Sequence, residues 1–147
     1  MTHSFLLEPS SWIIKGTWLD KTQIAIPFQG ATIITWDQSN WFIIKTKIVF
    51  PKSDRQDISY EYKGFLPANR TQYTYVLKRS DFEKIEGEGW LSSDSIIQRY
   101  WVLGDNRRFN GFETFFRLDE GTYHLTSGMM AGNHLYNTLE GILERHG

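Results

Sequence analysis

The 147 residues carry 16 Lys+Arg against 17 Asp+Glu, a formal net charge of -1, so the chain lacks the basic surplus of a nucleic-acid binder. It has no cysteine, which removes disulfides, thiolate metal ligands and thiol nucleophiles. The length suits one domain, 1–147, and an aromatic content of 16%, with six tryptophans, favours pleated, half-buried surfaces and hence an all-β class. No apolar run approaches the ~20 residues of a membrane helix, and the first nine residues lack the basic start and apolar stretch of a signal peptide. A cytoplasmic protein without a membrane span is expected.

In chain order, residues 5–11 read as a short turn of helix or an irregular lid, stopped by Pro9. Residues 12–18 alternate as a strand, with Trp12, Ile14, Gly16 and Trp18 on one face and Ile13, Lys15 and Thr17 on the other. After a polar turn at 19–22, the run 23–28 aligns Ile24, Ile26 and Phe28. Pro27, which cannot donate a ladder hydrogen bond, suggests an edge or a strand end, and Gln29 and Gly30 close that run. Residues 31–36 and 41–50 form a hairpin across 37–40, in which Phe42, Ile44, Thr46, Ile48 and Phe50 share a face and Lys45 and Lys47 mark the solvent side.

A charged loop at 51–57 leads to 58–64, where Ile58, Tyr60 and Tyr62 oppose Ser59, Glu61 and Lys63. Past a turn at 66–70, Tyr73, Tyr75 and Leu77 line one face of the next strand. The run 82–91 puts Ile85, Gly87, Gly89 and Leu91 on one side, and its paired glycines suggest bending or the close approach of another group. Residues 96–103 follow a turn at 92–94, and 104–108 is an exposed loop. A final hairpin joins 109–118 to 122–129 across Asp119, Glu120 and Gly121. Residues 134–145 fit a helical stripe or a strand face. The strand is preferred, because about ten hairpin-linked runs still need their edges closed. The pattern predicts an all-β fold: one up-and-down antiparallel β-barrel of about 8–10 strands with a short N-terminal lead, wide enough for one small ligand.

Gly16-Thr17-Trp18 resembles the Gly-x-Trp signature on the first strand of lipocalins and related calycin barrels. The family also carries a cation near the end of its last strand, where Arg145 stands here. The resemblance implies that Arg145 packs over Trp18 as a plug at the closed end of the barrel, in a cation–π contact. The second lipocalin signature, a signal peptide and a disulfide pair are missing. Fatty-acid-binding proteins have a helix-turn-helix lid for which the first strands leave no room. Among intracellular calycins the chain is similar to nitrobindin-like and cyanobacterial phycobiliprotein-lyase-like barrels.

On this reading the barrel interior binds a small hydrophobic or amphipathic anionic ligand. Arg99, with Ile97 and Trp101 on its face, and Arg117, with Phe109 and Phe115, are candidates to orient an anionic group. Tyr100, Trp101 and Phe115 supply aromatic walls, and Glu113 is either an acid for the ligand or a partner for Arg117. A possible tetrapyrrole ligand would enlist the same arginines for propionates and Glu86, Glu88 or Glu113 as acid, in a bilin lyase or chaperone. A heme barrel would take His134, or else His124, as iron ligand. A third reading has the aromatics filling the barrel and the outside forming a homodimer interface. Enzymatic signatures are missing: there is no nucleophile elbow, phosphate-cradling glycine loop or metal-ligand box. Lys78, Arg79, Arg107 and Arg108 read as solvated basic positions.

Overall fold

The computed structural model describes residues 3–104 and 106–147, with all side chains among them except that of Glu83. Ten strands follow one another: β1 Ser10–Asp20, β2 Ala25–Trp36, β3 Trp41–Val49, β4 Ile58–Phe65, β5 Gln72–Arg79, β6 Phe82–Leu91, β7 Ser95–Val102, β8 Phe109–Asp119, β9 Thr122–Ala131 and β10 His134–His146. Each is antiparallel to its sequence neighbours, and β10 returns to pair with β1, so the sheet closes into an up-and-down barrel. No described residue is helical, and no helix is long and apolar enough to cross a membrane.

Alternation sets the inner face. On β5, Tyr73, Tyr75, Leu77 and Arg79 are buried while Gln72, Thr74, Val76 and Lys78 are exposed. The helical alternative for the last segment fails because β10 pairs on both sides, with β9 and with β1. The two runs expected at 23–28 and 31–36 are one strand, β2, passing through Gly30 without a break. A Cβ at Gly30 would lie 2.8 Å from Ile48 and 2.9 Å from Ile14 side-chain carbons, so this glycine marks neighbours pressing inward rather than a stop. Pro27 sits two residues before pairing with β3 begins at Gln29, a place where its missing donor is tolerated.

Glycines and aromatic rings are paired across the seams. Tyr73 faces Gly89, Tyr75 faces Gly87, Phe42 faces Gly64 and Tyr100 faces Gly111. A Cβ built on any of these four glycines would come within 2.1–2.4 Å of the ring carbon opposite. The rings therefore lie across bare backbone and extend into the lumen, filling space that a pair of ordinary side chains would crowd.

The two rims differ. At one, residues 3–9 fold across the barrel: Phe5 stacks on Phe115 at 4.8 Å and meets Trp12 edge-on at 5.2 Å. His3 bridges the Tyr123 hydroxyl, at 2.7 Å, and the Ser92 carbonyl, at 2.6 Å. Leu6 is buried at φ 73°, and its carbonyl accepts the Trp36 indole N–H at 2.6 Å. Of the stretch 5–11, read from sequence as a turn of helix or an irregular lid, no residue is helical and Ser10 and Ser11 already belong to β1. The opposite rim is built from Trp18, Phe50, Tyr60, Arg79, Phe82, Phe109 and Tyr136, with Arg55 reaching in from the β3–β4 loop.

Candidate functional site

The lumen is not uniformly apolar. A cavity of about 60 Å³ runs through it, walled by Ile14, Ile48, Leu125 and Leu139 but also by Tyr60, Tyr62, Tyr73, Arg79, Gln98, Tyr100 and Glu113. Register assembles the polar belt. Gln98 on β7 stands opposite Glu113 on β8 and, on its other side, opposite Gly89 on β6, which in turn faces Tyr73 on β5. The belt is thus a row across four strands, bent inward where Gly89 leaves room for the tyrosine.

Its hydrogen bonds converge. Tyr73 Oη donates to Gln98 Oε1 at 2.5 Å, Gln98 Nε2 donates to Glu113 Oε1 at 2.8 Å, and Tyr62 Oη donates to the same oxygen at 3.0 Å. Among the described residues nothing bonds Glu113 Oε2. Burial pushes the Glu113 carboxyl above its ordinary range, against the bonds from Gln98 and Tyr62 and the field of Arg79. In the neutral acid, the doubly accepting Oε1 plays the carbonyl and the proton belongs on Oε2, which becomes a donor towards the cavity. Burial likewise raises Tyr62, Tyr73 and Tyr100, and brings Tyr60 up to about 12, so these phenols remain neutral donors.

Arg79 supplies the buried positive charge. Its side chain is 5% exposed and grips Asp81 through Nε–Oδ1 at 2.9 Å and Nη2–Oδ2 at 2.8 Å, with the guanidinium 5.2 Å from the Tyr60 ring centroid. It is the cation whose field reaches Glu113.

Of the residues singled out by sequence, Tyr100, Glu113, Phe115 and Trp18 line the cavity. Arg99 and Trp101 do not: they lie on the outer face, where Arg99 bonds Glu88 at 2.9 Å and covers the Trp101 ring at 5.5 Å. Both faces of β7 carry large apolar groups, and the inward set is Ile96, Gln98 and Tyr100. Glu86 is exposed on the same outer face as Glu88. Arg117 shares the inward parity of Phe115 but sits at the lid rim, bonding the Ser93 carbonyl at 3.0 Å and Asp94 at 2.9 Å. The expected plug is also rearranged. Arg145 stands opposite Trp12, not Trp18, and binds Glu8 at 3.2 Å, because an antiparallel last strand ends where the first begins. The cation over Trp18 is Arg55, at 4.7 Å. Gly16 has a backbone role: a Cβ there would collide with the Glu140 carbonyl oxygen on β10. His134 is exposed at the β9–β10 turn, and His124 lies outside, 3.6 Å from Glu140, so neither imidazole faces the lumen.

Gln98, Tyr62, Tyr73 and Arg79 were not singled out as site residues. Parity alone would have found Arg79, two residues beyond Leu77 on the Tyr73–Tyr75 face. Arg55 comes from a loop and carries no periodic signal.

No protein-family model matches this chain, and no curated protein matches it. Among solved structures, the crystal structure of Rv2717c from M. tuberculosis matches with a TM-score of 0.74 and 13% identity, over 95% of this chain and 92% of that one. The two share a fold.

Proposed function

We propose that the chain binds a small amphipathic molecule inside the barrel, with a hydrogen-bond acceptor of that molecule set against Glu113 Oε2–H and its apolar part against Ile14, Ile48, Leu125 and Leu139. The observation that carries this reading is the convergent belt. A lumen needed only for stability is better filled with apolar side chains, since burying carboxyl, amide and guanidinium groups costs more than their mutual bonds return. A few convergent polar groups in an apolar cavity are the ordinary make-up of a ligand site.

Size narrows the ligand. The cavity of about 60 Å³ holds a handful of heavy atoms, whereas sites for drug-sized molecules span roughly 300–1,000 Å³. This favours a compact ligand over a heme or a linear tetrapyrrole, and the outward histidines remove the reason for preferring heme.

The test is a titration of the purified protein with short alcohols, amides and carboxylic acids, read by NMR at the Ile48, Leu125 and Leu139 methyls. Saturable shifts at these methyls are expected. Glu113→Gln, which offers an amide in place of the acid O–H, should weaken the best binder several-fold. A panel that leaves all three methyls unmoved would sink the proposal.

A further inference from the structure

Among the described residues, three polar side chains on one wall of the cavity are short of partners. Glu113 on β8, Ser127 on β9 and Asn137 on β10 all line it, with Glu113 and Asn137 only 9% and 7% exposed. Besides Glu113 Oε2, the Ser127 hydroxyl and the Asn137 amide have no side-chain hydrogen bond among the described residues. They are not sealed in: the described buried polar atoms lacking both a partner and accessible surface belong to Trp18 and Arg55.

Register brings the three together. Ser127 stands directly opposite Glu113, a cross-strand pair whose Cβ atoms lie about 4.5–5.5 Å apart in an antiparallel sheet. On its other side Ser127 faces Leu139, and Asn137, one inward position along from Leu139, is its diagonal neighbour at roughly 7–8 Å. Ser127 is half-buried although Leu125 and Met129 on the same face are buried, as follows where the cavity lies against it. The strip continues the belt of Tyr73, Gln98 and Glu113 onto β9 and β10, and it is the part that the belt's own bonds leave open.

A polar group facing an apolar cavity costs free energy until something pairs with it. The three groups specify what that partner must carry. Glu113 Oε1 is taken by Gln98 and Tyr62, which leaves Oε2–H as a donor. Ser127 Oγ and Asn137 Oδ1 are acceptors beside it. A primary carboxamide matches this set, with one acceptor in its carbonyl and two donors on the neighbouring nitrogen. A carboxylate does not, since the cation lining the cavity, Arg79, is already gripped by Asp81.

We propose that Glu113, Ser127 and Asn137 form a specificity strip for a small neutral primary amide, whose carbonyl accepts from Glu113 Oε2–H while its N–H groups donate to Ser127 Oγ and Asn137 Oδ1. This rests on the reading of the lumen as a ligand site and names the class of ligand.

Propionamide, 2-butanone and propionate share a shape and differ in what they present: an acceptor with two donors, an acceptor alone, and an anion. In NMR titrations of the full chain, propionamide should saturably shift the Ile48, Leu125 and Leu139 methyls and the Asn137 side-chain ¹H–¹⁵N resonances. It should bind about tenfold more tightly than 2-butanone, and more tightly than propionate at neutral pH. Asn137→Leu, close in shape and without polar atoms, should remove most of that preference by weakening propionamide while 2-butanone binds no less well. Ser127→Ala should reduce it in part. If 2-butanone binds the unsubstituted chain as tightly as propionamide, or if Asn137→Leu keeps the preference, the strip does not select amides, and the lumen reading stands. A tighter propionate overturns the neutral class in the same way. If no probe moves any interior resonance, the lumen reading fails and takes the strip with it. Should Asn137→Leu not fold, the unsubstituted chain decides: methyls that move with propionamide while the Asn137 side-chain resonances stay still would overturn the proposal.

Discussion

Glu113 is the carboxyl of the buried belt, and burial makes its ionisation unfavourable in a way that is measurable. Its folded pKa is raised by burial, so its contribution to stability is complete below the unfolded value of about 4.3 and is lost as pH rises through the folded value. Glu113→Gln keeps an acceptor for Tyr62 and Gln98 but has nothing to ionise. The expected outcome is that the variant gains on the unsubstituted protein by about 1.4 kcal/mol for each pH unit between the unfolded and folded values, and by nothing further above them. Thermal denaturation of both proteins from pH 4 to 8 checks this, and parallel profiles would show that Glu113 is not a buried neutral acid. The acid itself was visible in the sequence, sharing a strand face with Phe109 and Phe115. Its partners were not, because Gln98 and Tyr62 come from strands 15 and 51 residues away, and only register brings them together.

Among the elements, β5 and β6 show how backbone shape follows from which side chains are missing. Tyr73 is 1% exposed and its hydroxyl is tied to Gln98, so the ring cannot swing away from Gly89. Gly89→Ala would set a Cβ 2.1 Å from the Tyr73 ring. It is expected to cost roughly 1–3 kcal/mol and to disturb the belt. Gly121→Ala, whose Cβ meets nothing closer than 3.9 Å, should change stability by less than about 0.5 kcal/mol. Chemical denaturation of the two variants makes the comparison, and equal losses would mean that the tyrosine–glycine packing is not tight.

Sequence alternation showed the paired glycines of β6 and suggested a close approach, without naming the tyrosines opposite. It also located nearly every strand. It failed in two instructive places. In β2, Gln29 and Gly30 look like a terminus because composition cannot distinguish a glycine that ends a strand from one pressed by Ile14 and Ile48. In β7, Ile97 and Trp101 outside are as apolar as Ile96 and Tyr100 inside, so parity fixes two faces but not which is inner. That ambiguity sent Arg99 to the wrong side.

At the scale of the molecule, the fold of this ten-strand ring is shared with a structure of 13% identity, so the architecture depends on pattern more than on particular side chains. The Arg145 position makes the same point: a cation near the end of the last strand is present, yet antiparallel geometry delivers it to Trp12 and Glu8. The seam between β1 and β10 joins Ser11 to His146, across almost the whole length of the chain. Every other seam joins strands adjacent in sequence. Folding must therefore zip nine local hairpins and then close one contact of very high sequence separation, the slow kind. A circular permutant, with the present ends joined by a short Gly/Ser linker and new ends opened at Asn69 and Arg70 in the exposed β4–β5 turn, turns that seam into a hairpin and makes β4–β5 the distant one. Its near-UV circular dichroism should match the parent, since a ring has no privileged starting point. Stopped-flow refolding then reports whether the rate follows the identity of the closing seam or only the need to close one. A permutant that fails to fold would mean that the order in which the strands are laid down is part of the fold's specification.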